Sequence, residues 1–460
     1  MTGQLAIPFD TLPCKASCPA KRRPVGAIRP SRACNTDLLP QHWGERPLST
    51  LARINERKLA DTTDPDYEIE YIDIGNVDMV GGVQSTERYR FEDAPSRARR
   101  RVMDGDTIIS TVRTYLKAVA RIANPPENLI ASTGFAVLSP RADCDPGFLF
   151  RLVQSEPFVQ KVVAHSVGVS YPAINAPEIG KFLVPVPPVG EQQRIAAFLD
   201  CETARIDQLI GEKTRLIDLL VEKRAAIITH AVTKGLETNV KMKPTGIEWL
   251  GMVPEHFSFK RVKYVATILR GKFTHRPRND PRMYDGPYPF VQTGDISAAN
   301  KYIREYHQTL SDDGFAVSKM FPKGTLVMSI AANIGDMAIL DFEACFPDSI
   351  VGFVPKRDVN LNFLFYLFTG MRSAFFSTAT LNTQLNLNIE RIGSLLTVVP
   401  SPKKQLQIVE FLDETCQRID TIVEQIRAAA SRLHEYRSAL ITAAVTGRID
   451  VRANEEGGTN

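Results

Sequence analysis

One stretch of this chain is written twice. Residues 191–200 read EQQRIAAFLD and residues 404–413 read KQLQIVEFLD, an offset of 213 positions. The same offset aligns Arg205-Ile206-Asp207 with Arg418-Ile419-Asp420, and Glu222 and Arg224 with Glu435 and Arg437. It also aligns Ile228-Thr229 with Ile441-Thr442 and Ala231-Val232-Thr233 with Ala444-Val445-Thr446. Over 43 positions no gap is needed and 17 pairs are identical. Two unrelated amphipathic helices rarely agree to that extent, so the chain contains a duplication and must build the same element twice.

Both copies read as long helices. Proline-rich strand ends precede them, with Pro185, Pro187 and Pro188 before the first and Pro400 and Pro402 before the second. Proline suits a helix start and not a continuing strand. Neither copy contains proline, and Gly235 and Gly447 stand just past the ends as stop signals. Positions spaced alternately four and three from Ile195 run through Leu199, Ile206, Leu209, Leu216, Leu220 and Ile227, interrupted by Glu202, Lys213 and Lys223. The equivalent positions in the second copy are Ile408, Leu412, Ile419, Ile422, Ile426, Ala429, Leu433, Tyr436 and Leu440, interrupted by Thr415. That is the apolar seam of helices packed side by side. Forty-three residues make a rod of roughly 65 Å, and the simplest partner for one copy is the other. The expected element is an antiparallel coiled coil acting as a fixed-length spacer; two unrelated bundle helices are the plainer alternative.

The segments between the rods are each about one domain long. They are strand-rich with short helices, and they share anchors. Tyr71-Ile72-Asp73-Ile74-Gly75 echoes Phe290-Val291-Gln292-Thr293-Gly294, and Gly105-Asp106-Thr107-Ile108-Ile109-Ser110 echoes Gly324-Thr325-Leu326-Val327-Met328-Ser329. Each opens with a Pro-x-His-aromatic element, Pro40/His42/Trp43 and Pro254/His256/Phe257. The fold class is therefore α+β, two α/β globules joined by two long helices. The expected boundaries are a basic, disordered extension over 1–35, a first globule over 36–188 and a first helix over 189–236. A second globule over 240–402, a second helix over 403–447 and a disordered tail over 448–460 complete the chain. The globules differ more than the rods do, as readers of two different targets on a common spacer would.

Charge is segregated. The net charge is only +4, from 56 Lys and Arg against 52 Asp and Glu, too little to mark a nucleic-acid binder by itself. Between Ser96 and Arg121, however, Arg97, Arg99, Arg100, Arg101, Arg113, Lys117 and Arg121 face only Asp104 and Asp106. Between Phe259 and Met283, Lys260, Arg261, Lys263, Arg270, Lys272, Arg276, Arg278 and Arg282 face only Asp280. Paired basic patches, one per globule, attract phosphate through counterion release. Arginine also reads guanine edges, and Asn or Gln reads adenine. The candidate readers are Arg113, Tyr115, Ser170, Tyr171, Asn333, Gln384 and Asn386. The basic extension carries Lys15, Lys21, Arg22, Arg23, Arg29 and Arg32 against Asp10; an auxiliary DNA-contacting arm is the alternative to a disordered tail.

Several chemistries are missing. No glycine-rich nucleotide loop of either common type occurs. The seven histidines include no pair at zinc-protease spacing. Asn124-Pro125-Pro126-Glu127 has Glu where an adenine methyltransferase loop needs an aromatic ring, and reads as a turn. Pro347-Asp348 lacks the following acid-x-Lys of a nuclease motif. Cys14, Cys18 and Cys34 lack a fourth zinc ligand. No catalytic residue and no metal site is assigned. Seven sparse cysteines fit a reducing compartment. No apolar run nears the ~18 residues of a membrane span and no signal peptide is visible, so the expected location is cytoplasmic.

With these motifs assembled, the chain resembles the specificity subunits of type I restriction–modification enzymes. The Glu-Gln-Gln-x-Ile-Ala-x-Phe-Leu-Asp of 191–200 and its echo at 404–413, each with Arg-Ile-Asp following, carry the resemblance. Gly-Ile-Glu-Trp-Leu-Gly at 246–251, Ser-Thr-Val-Arg-Thr-Tyr-Leu at 110–116 and Tyr-Pro-Ala-Ile-Asn at 171–175 add to it. It covers about 36–450; the 1–35 extension departs from the family pattern. It implies that each globule is a target-recognition domain reading one half of a split site in double-stranded DNA. The helices then set the gap and dock two methyltransferase subunits, with Gln192, Ile195, Phe198, Leu199, Ile206, Ile408, Phe411, Leu412 and Ile419 as the partner and spacer residues of those helices. The partners would supply S-adenosylmethionine chemistry, and a restriction subunit would supply ATP- and Mg-dependent cleavage; this chain would bind no cofactor and catalyse nothing. The alternative is a two-headed DNA-binding regulator with no restriction role. A rigid spacer turns two weak half-site contacts into one bipartite code, with half-sites about one helical turn, ~34 Å, apart facing one side of the duplex.

Overall fold

A computed structural model describes residues 39–247, 249–331, 334–377, 380–381, 385–386 and 389–451. The expected 1–35 extension, Asn333 and Gln384 lie outside the described residues. Two helices dominate, Val189–Lys234 and Pro402–Val445, of 46 and 44 residues without interruption. Gly235 and Gly447 follow them with φ of 74° and 70°, the left-handed geometry that ends a helix at little cost only in glycine. Packing divides the chain into two compact units. One comprises the residues through Glu212 together with those from Ala429 on, and the other is Lys213–Ala428. Each unit thus holds one globule and a part of both long helices.

The first unit contains two four-stranded sheets. One runs in the order Glu87–Arg90, Glu68–Ile72, Leu129–Ser132, Ala98–Arg101. The other is Ala52–Ile54, Phe135–Pro140, Thr107–Ser110, Val119–Arg121, antiparallel throughout. Strand alternation sends neighbouring residues to opposite faces. Ile108 and Val137 join the cluster with Ile72 and Ala131 of the first sheet. Ile109 and Ala136 join a second cluster with Phe148 and Leu149 of the helix Pro146–Gln154 and with Ile195, Leu199 and Ile206 of the first long helix. Leu440, Ile441, Ala444 and Val445 of the second long helix complete that core. Burial on both faces explains why Thr107–Ser110 reads as an unbroken buried run.

The second unit repeats the plan on a five-stranded sheet, Ala266–Arg270, Ile350–Pro355, Leu326–Ser329, Met337–Leu340, Tyr302–Ile303. Leu326 and Met328 face a core with the helix Leu361–Gly370, Ile228 and Val232 of the first long helix, and Ile408 and Leu412 of the second. Val327 faces the opposite cluster with Val291 and Phe346. The echoed Gly105 and Gly324 precede equivalent central strands with φ of 82° and 80°, so the shared glycines mark the same turn. The Pro-x-His-aromatic elements also match in role. A Cβ on Gly447 would sit 2.5 Å from Pro40 and 3.3 Å from Trp43, and one on Gly235 would sit 3.3 Å from Phe257.

Two expectations are corrected. The tail does not become structureless at 448, because Val451 is 8% exposed and packs in the core with Leu440 and Val445. The seam is also not buried along its length. Leu209, Leu216, Ile422 and Tyr436 are 40–46% exposed, whereas Ile195, Leu199, Ile206, Ile408, Leu412, Ile419 and Leu440 are buried. Ile195, Leu199, Ile206 and Leu440 are buried in the first unit's core and Ile408 and Leu412 in the second's, so burial of the seam follows the globules.

Candidate nucleic-acid interface

Two loops of the first unit are stitched together at its surface. Val112 and Val167 each form a backbone bridge to Ala173. Arg113 N donates to Pro172 O at 2.8 Å, and the hydroxyls of Thr114 and Ser166 are 2.8 Å apart. Arg113 adopts φ 51°, ψ 47°, which turns its guanidinium over the Tyr171 ring at 5.0 Å. Four expected readers, Arg113, Tyr115, Ser170 and Tyr171, are therefore carried on one exposed loop pair. The tip is apolar as well as basic. Val167, Val169 and Tyr171 are 81%, 102% and 66% exposed, and Leu116 is 47% exposed. Lys117 is less free than its position suggests, since Glu156 holds it at 2.9 Å.

The Arg97–Arg101 run divides by strand alternation. Arg97 and Arg101 are exposed. Arg99 stacks over Phe91 at 4.7 Å and lies 3.5 Å from Asp61. Arg100 is recessed, with its Nε buried, and burial lowers its pKa. Asp106, which balances this patch in the linear sequence, is instead buried beneath it at 3.3 Å from Arg57; burial raises its pKa, only partly offset by the hydrogen bonds from Ser139 and Met103 and by Arg57.

In the second unit the basic cluster carries a counter-ion that sequence distance hid. Asp348 lies 2.5 Å from Arg278 and 3.5 Å from Arg276. The residue set aside as a failed nuclease motif is thus an electrostatic partner of the patch. Asp280 binds Arg282 at 2.8 Å and His275 at 3.0 Å, and these contacts, Arg282 first, depress its pKa strongly. Arg270 and Lys272 remain exposed. Asn386 belongs to the short strand Leu385–Asn386. Ser329 Oγ donates to Ala331 O at 2.7 Å, as Ser110 Oγ does to Val112 O in the first unit. The segments after Ser110 and Ser329 therefore start with the same hydroxyl-to-backbone contact.

The residues assigned to the partner and spacer helices are mostly internal. Gln192, Ile195, Leu199, Ile206, Ile408, Leu412 and Ile419 are 7% exposed or less, and Phe198 is partly buried against the first unit's core. Only Phe411, at 41%, is open. Gln192 is a clamp. Its Oε1 accepts from Asp145 N at 2.8 Å, and its Nε2 donates to Pro187 O and Asp143 O at 2.9 and 3.2 Å. Gln405, 213 positions on, accepts from Asn360 N at 2.8 Å and donates to Pro400 O and Asp358 O at 3.0 and 2.9 Å. Asp145 and Asn360 in turn cap the helices Pro146–Gln154 and Leu361–Gly370. A second repeated device joins the long helices. Arg437 Nε donates to Asp207 at 2.9 Å in one unit, and Arg224 lies 3.2 Å from Asp420 in the other. Composition hid a further feature. Leu219, Val221, Leu406 and Phe411, off the buried seam, are 41–54% exposed.

No group of three or more His, Cys, Asp or Glu that could hold a metal ion occurs among the described residues. No described helix is long and apolar enough to cross a membrane.

Comparison with known proteins places this geometry. The model of the type I restriction modification DNA specificity domain matches twice, over residues 40–216 and 254–431. A putative type I restriction enzyme MjaX specificity subunit from Methanocaldococcus jannaschii is 22% identical over 433 residues, covering 90% of this chain and 95% of its own. The EcoKI specificity subunit of Escherichia coli K12 is 21% identical over 332 residues, covering 70% and 69%. A chain solved in work on assembly and conformational transition of the type I R-M system superposes with a TM-score of 0.72 at 22% identity, covering 90% of this chain and all of its own. Two matched domains span most of the sequence, one in each globule and running into the long helix that follows it, and the chain belongs to the type I restriction–modification DNA specificity family.

Proposed function

We propose that this chain reads a split site in double-stranded DNA, one half per globule, across a gap set by its two long helices. As a specificity subunit it recognises DNA and leaves catalysis to its partners. The observation that carries the reading is the repeat of one attachment device beneath two dissimilar globules. Gln192 and Gln405 fasten equivalent helix starts to equivalent caps, while the exposed surfaces differ. Evolution of such a chain can change what is read without changing how it is held.

The helix order supports antiparallel pairing. Along the first helix from Asp207 to Arg224, the charge partners step back from Arg437 to Asp420. Ion pairs of this kind specify register more than they add stability. In the first globule, Arg113, Tyr115, Ser170 and Tyr171 form the reading surface, with Arg97 and Arg101 flanking it for phosphate. In the second, Arg270, Lys272, Arg276 and Arg278 supply phosphate contacts, and Asn333, Gln384 and Asn386 read bases.

The apolar residues that stay exposed on the long helices of the second unit, Leu219, Val221, Leu406 and Phe411, receive a methyltransferase subunit, and the two matched specificity domains speak for two such partners. Those partners bring S-adenosylmethionine, and a restriction subunit, where present, brings ATP and Mg. The family match does not favour a regulator without a restriction role. Purified chain with its modification subunit should protect two short blocks of a selected duplex separated by a constant gap, and the chain alone should transfer no methyl group. One continuous protected block would contradict this reading.

A further inference from the structure

A cleft of about 830 Å³ opens in the first unit beside the stitched loops. Thr111 and Ile174 line it. They are the residues next to the two loops, and Ile174 N donates to Thr111 O at 2.9 Å, so the cleft begins where the loops are anchored. Three arginines also line it, Arg53, Arg100 and Arg141. Arg53 is committed to Glu56, the acid in the lining, at 2.8 Å.

Arg100 is different. Strand alternation puts it on the face of Ala98, which is fully buried. Its Nε is buried with no acceptor, and among the described residues no carboxylate pairs with its guanidinium. Burial is the cause of its lowered pKa, with no opposing charge to offset it. A half-buried guanidinium with a buried, unpaired Nε and no counter-ion favours an anion that completes it. An arginine fork fits the oxygens of a tetrahedral anion in a bidentate manner.

We propose that this cleft is a phosphate seat, in which Arg100, supported by Arg141, takes a phosphodiester of the DNA strand beside the first reading loops. The inference rests on the reading of that globule as DNA-binding and goes beyond it in role. A half-buried guanidinium in a cleft suits a backbone phosphate, and a phosphate carries no sequence. Arg100 therefore positions the duplex and leaves discrimination to the Arg113–Tyr171 loop pair. Free inorganic phosphate shares the chemistry and is the other source of such an anion.

The full chain with its modification subunit, bound to a duplex obtained by binding-site selection, provides the test. Affinity is measured from 50 to 200 mM salt for wild type, Arg100→Ala, Arg100→Met and Arg100→Lys. Removing one phosphate interaction flattens the slope of log K against log salt by about 0.9. The expected result is that flattening for Arg100→Ala and Arg100→Met, with near wild-type slope for Arg100→Lys and unchanged base preference for all three. An unchanged slope in folded Arg100→Met overturns the proposal and makes Arg100 an inward-pointing guard of the edge strand. A changed base preference at the first half-site overturns it too, by making Arg100 a reader. In a separate arm, inorganic phosphate is compared with chloride at equal ionic strength. If phosphate raises the melting temperature of wild type but not of Arg100→Ala, while the DNA slope stays the same, the seat serves free phosphate and the DNA assignment falls. If wild type binds no selected duplex at all, the reading of the globule as DNA-binding fails instead, and the phosphate arm alone decides the seat.

Discussion

Gln192 stands in the sequence as a repeated residue at the start of a long helix, and its hydrogen-bond partners lie outside that helix. Its three hydrogen bonds reach Pro187, five residues back, and Asp143 and Asp145, more than forty residues back. Helical periodicity carries no information about such partners. Its identity in both copies was visible; the reason for the identity was not. Truncating it strands buried backbone groups, so Gln192→Ala should cost about 1–3 kcal/mol, and Gln405→Ala should match it. Urea denaturation measures both, and a change below about 0.5 kcal/mol, the ordinary range of surface substitutions, would show that the clamp is incidental. Arg113 was legible as a candidate, but its left-handed backbone and its stacking on Tyr171 were not. Arg113→Ala should weaken discrimination at the first half-site only, by about 1–3 kcal/mol for each base that the arginine reads. Equal weakening at both half-sites in a binding-site selection would make the residue structural. Asp348 gives the opposite lesson. Its role as a counter-ion depends on a fold that brings residues 276, 278 and 348 together, and no local pattern announces that.

The long helices were the most legible elements, because a 213-residue repeat, a 3.5-residue apolar period and terminal glycines all point the same way. Their burial was less legible. Periodicity marks a seam but not how much of it the neighbours cover, and Leu209, Leu216, Ile422 and Tyr436 remain open. Off the seam, Phe411 was named from the sequence, while Leu219, Val221 and Leu406 were overlooked. If Leu219, Val221, Leu406 and Phe411 receive the modification subunits, then Leu219→Glu combined with Phe411→Glu should reduce copurification at least tenfold while the melting temperature stays near wild type. Undiminished copurification would move docking elsewhere. The spacer has its own test. Deleting 213–219 removes two helical turns, ~10.5 Å of rise. It should change the permitted gap or abolish binding to the split site, while each globule keeps its base preference. A selection returning the original gap would remove the helices from the measurement of distance.

Across the molecule, two compact units each use parts of both helices, a division that a linear reading into globule, rod, globule and rod does not suggest. The sheets could be anticipated only as echoed anchors. Gly105 and Gly324 mark the same turn before equivalent central strands, but two four-stranded sheets in one unit and a five-stranded one in the other follow from long-range pairing. The bases read lie further still from the sequence, since loop conformation and duplex deformability decide them. What both levels share is an attachment scheme repeated faithfully under surfaces that are not repeated. Single-molecule methylation sequencing of DNA from cells carrying this chain and its modification subunit tests that scheme most directly. The account predicts one methylated motif made of two different half-sites at a constant separation. A contiguous motif, or two half-sites methylated independently at variable distances, would contradict it.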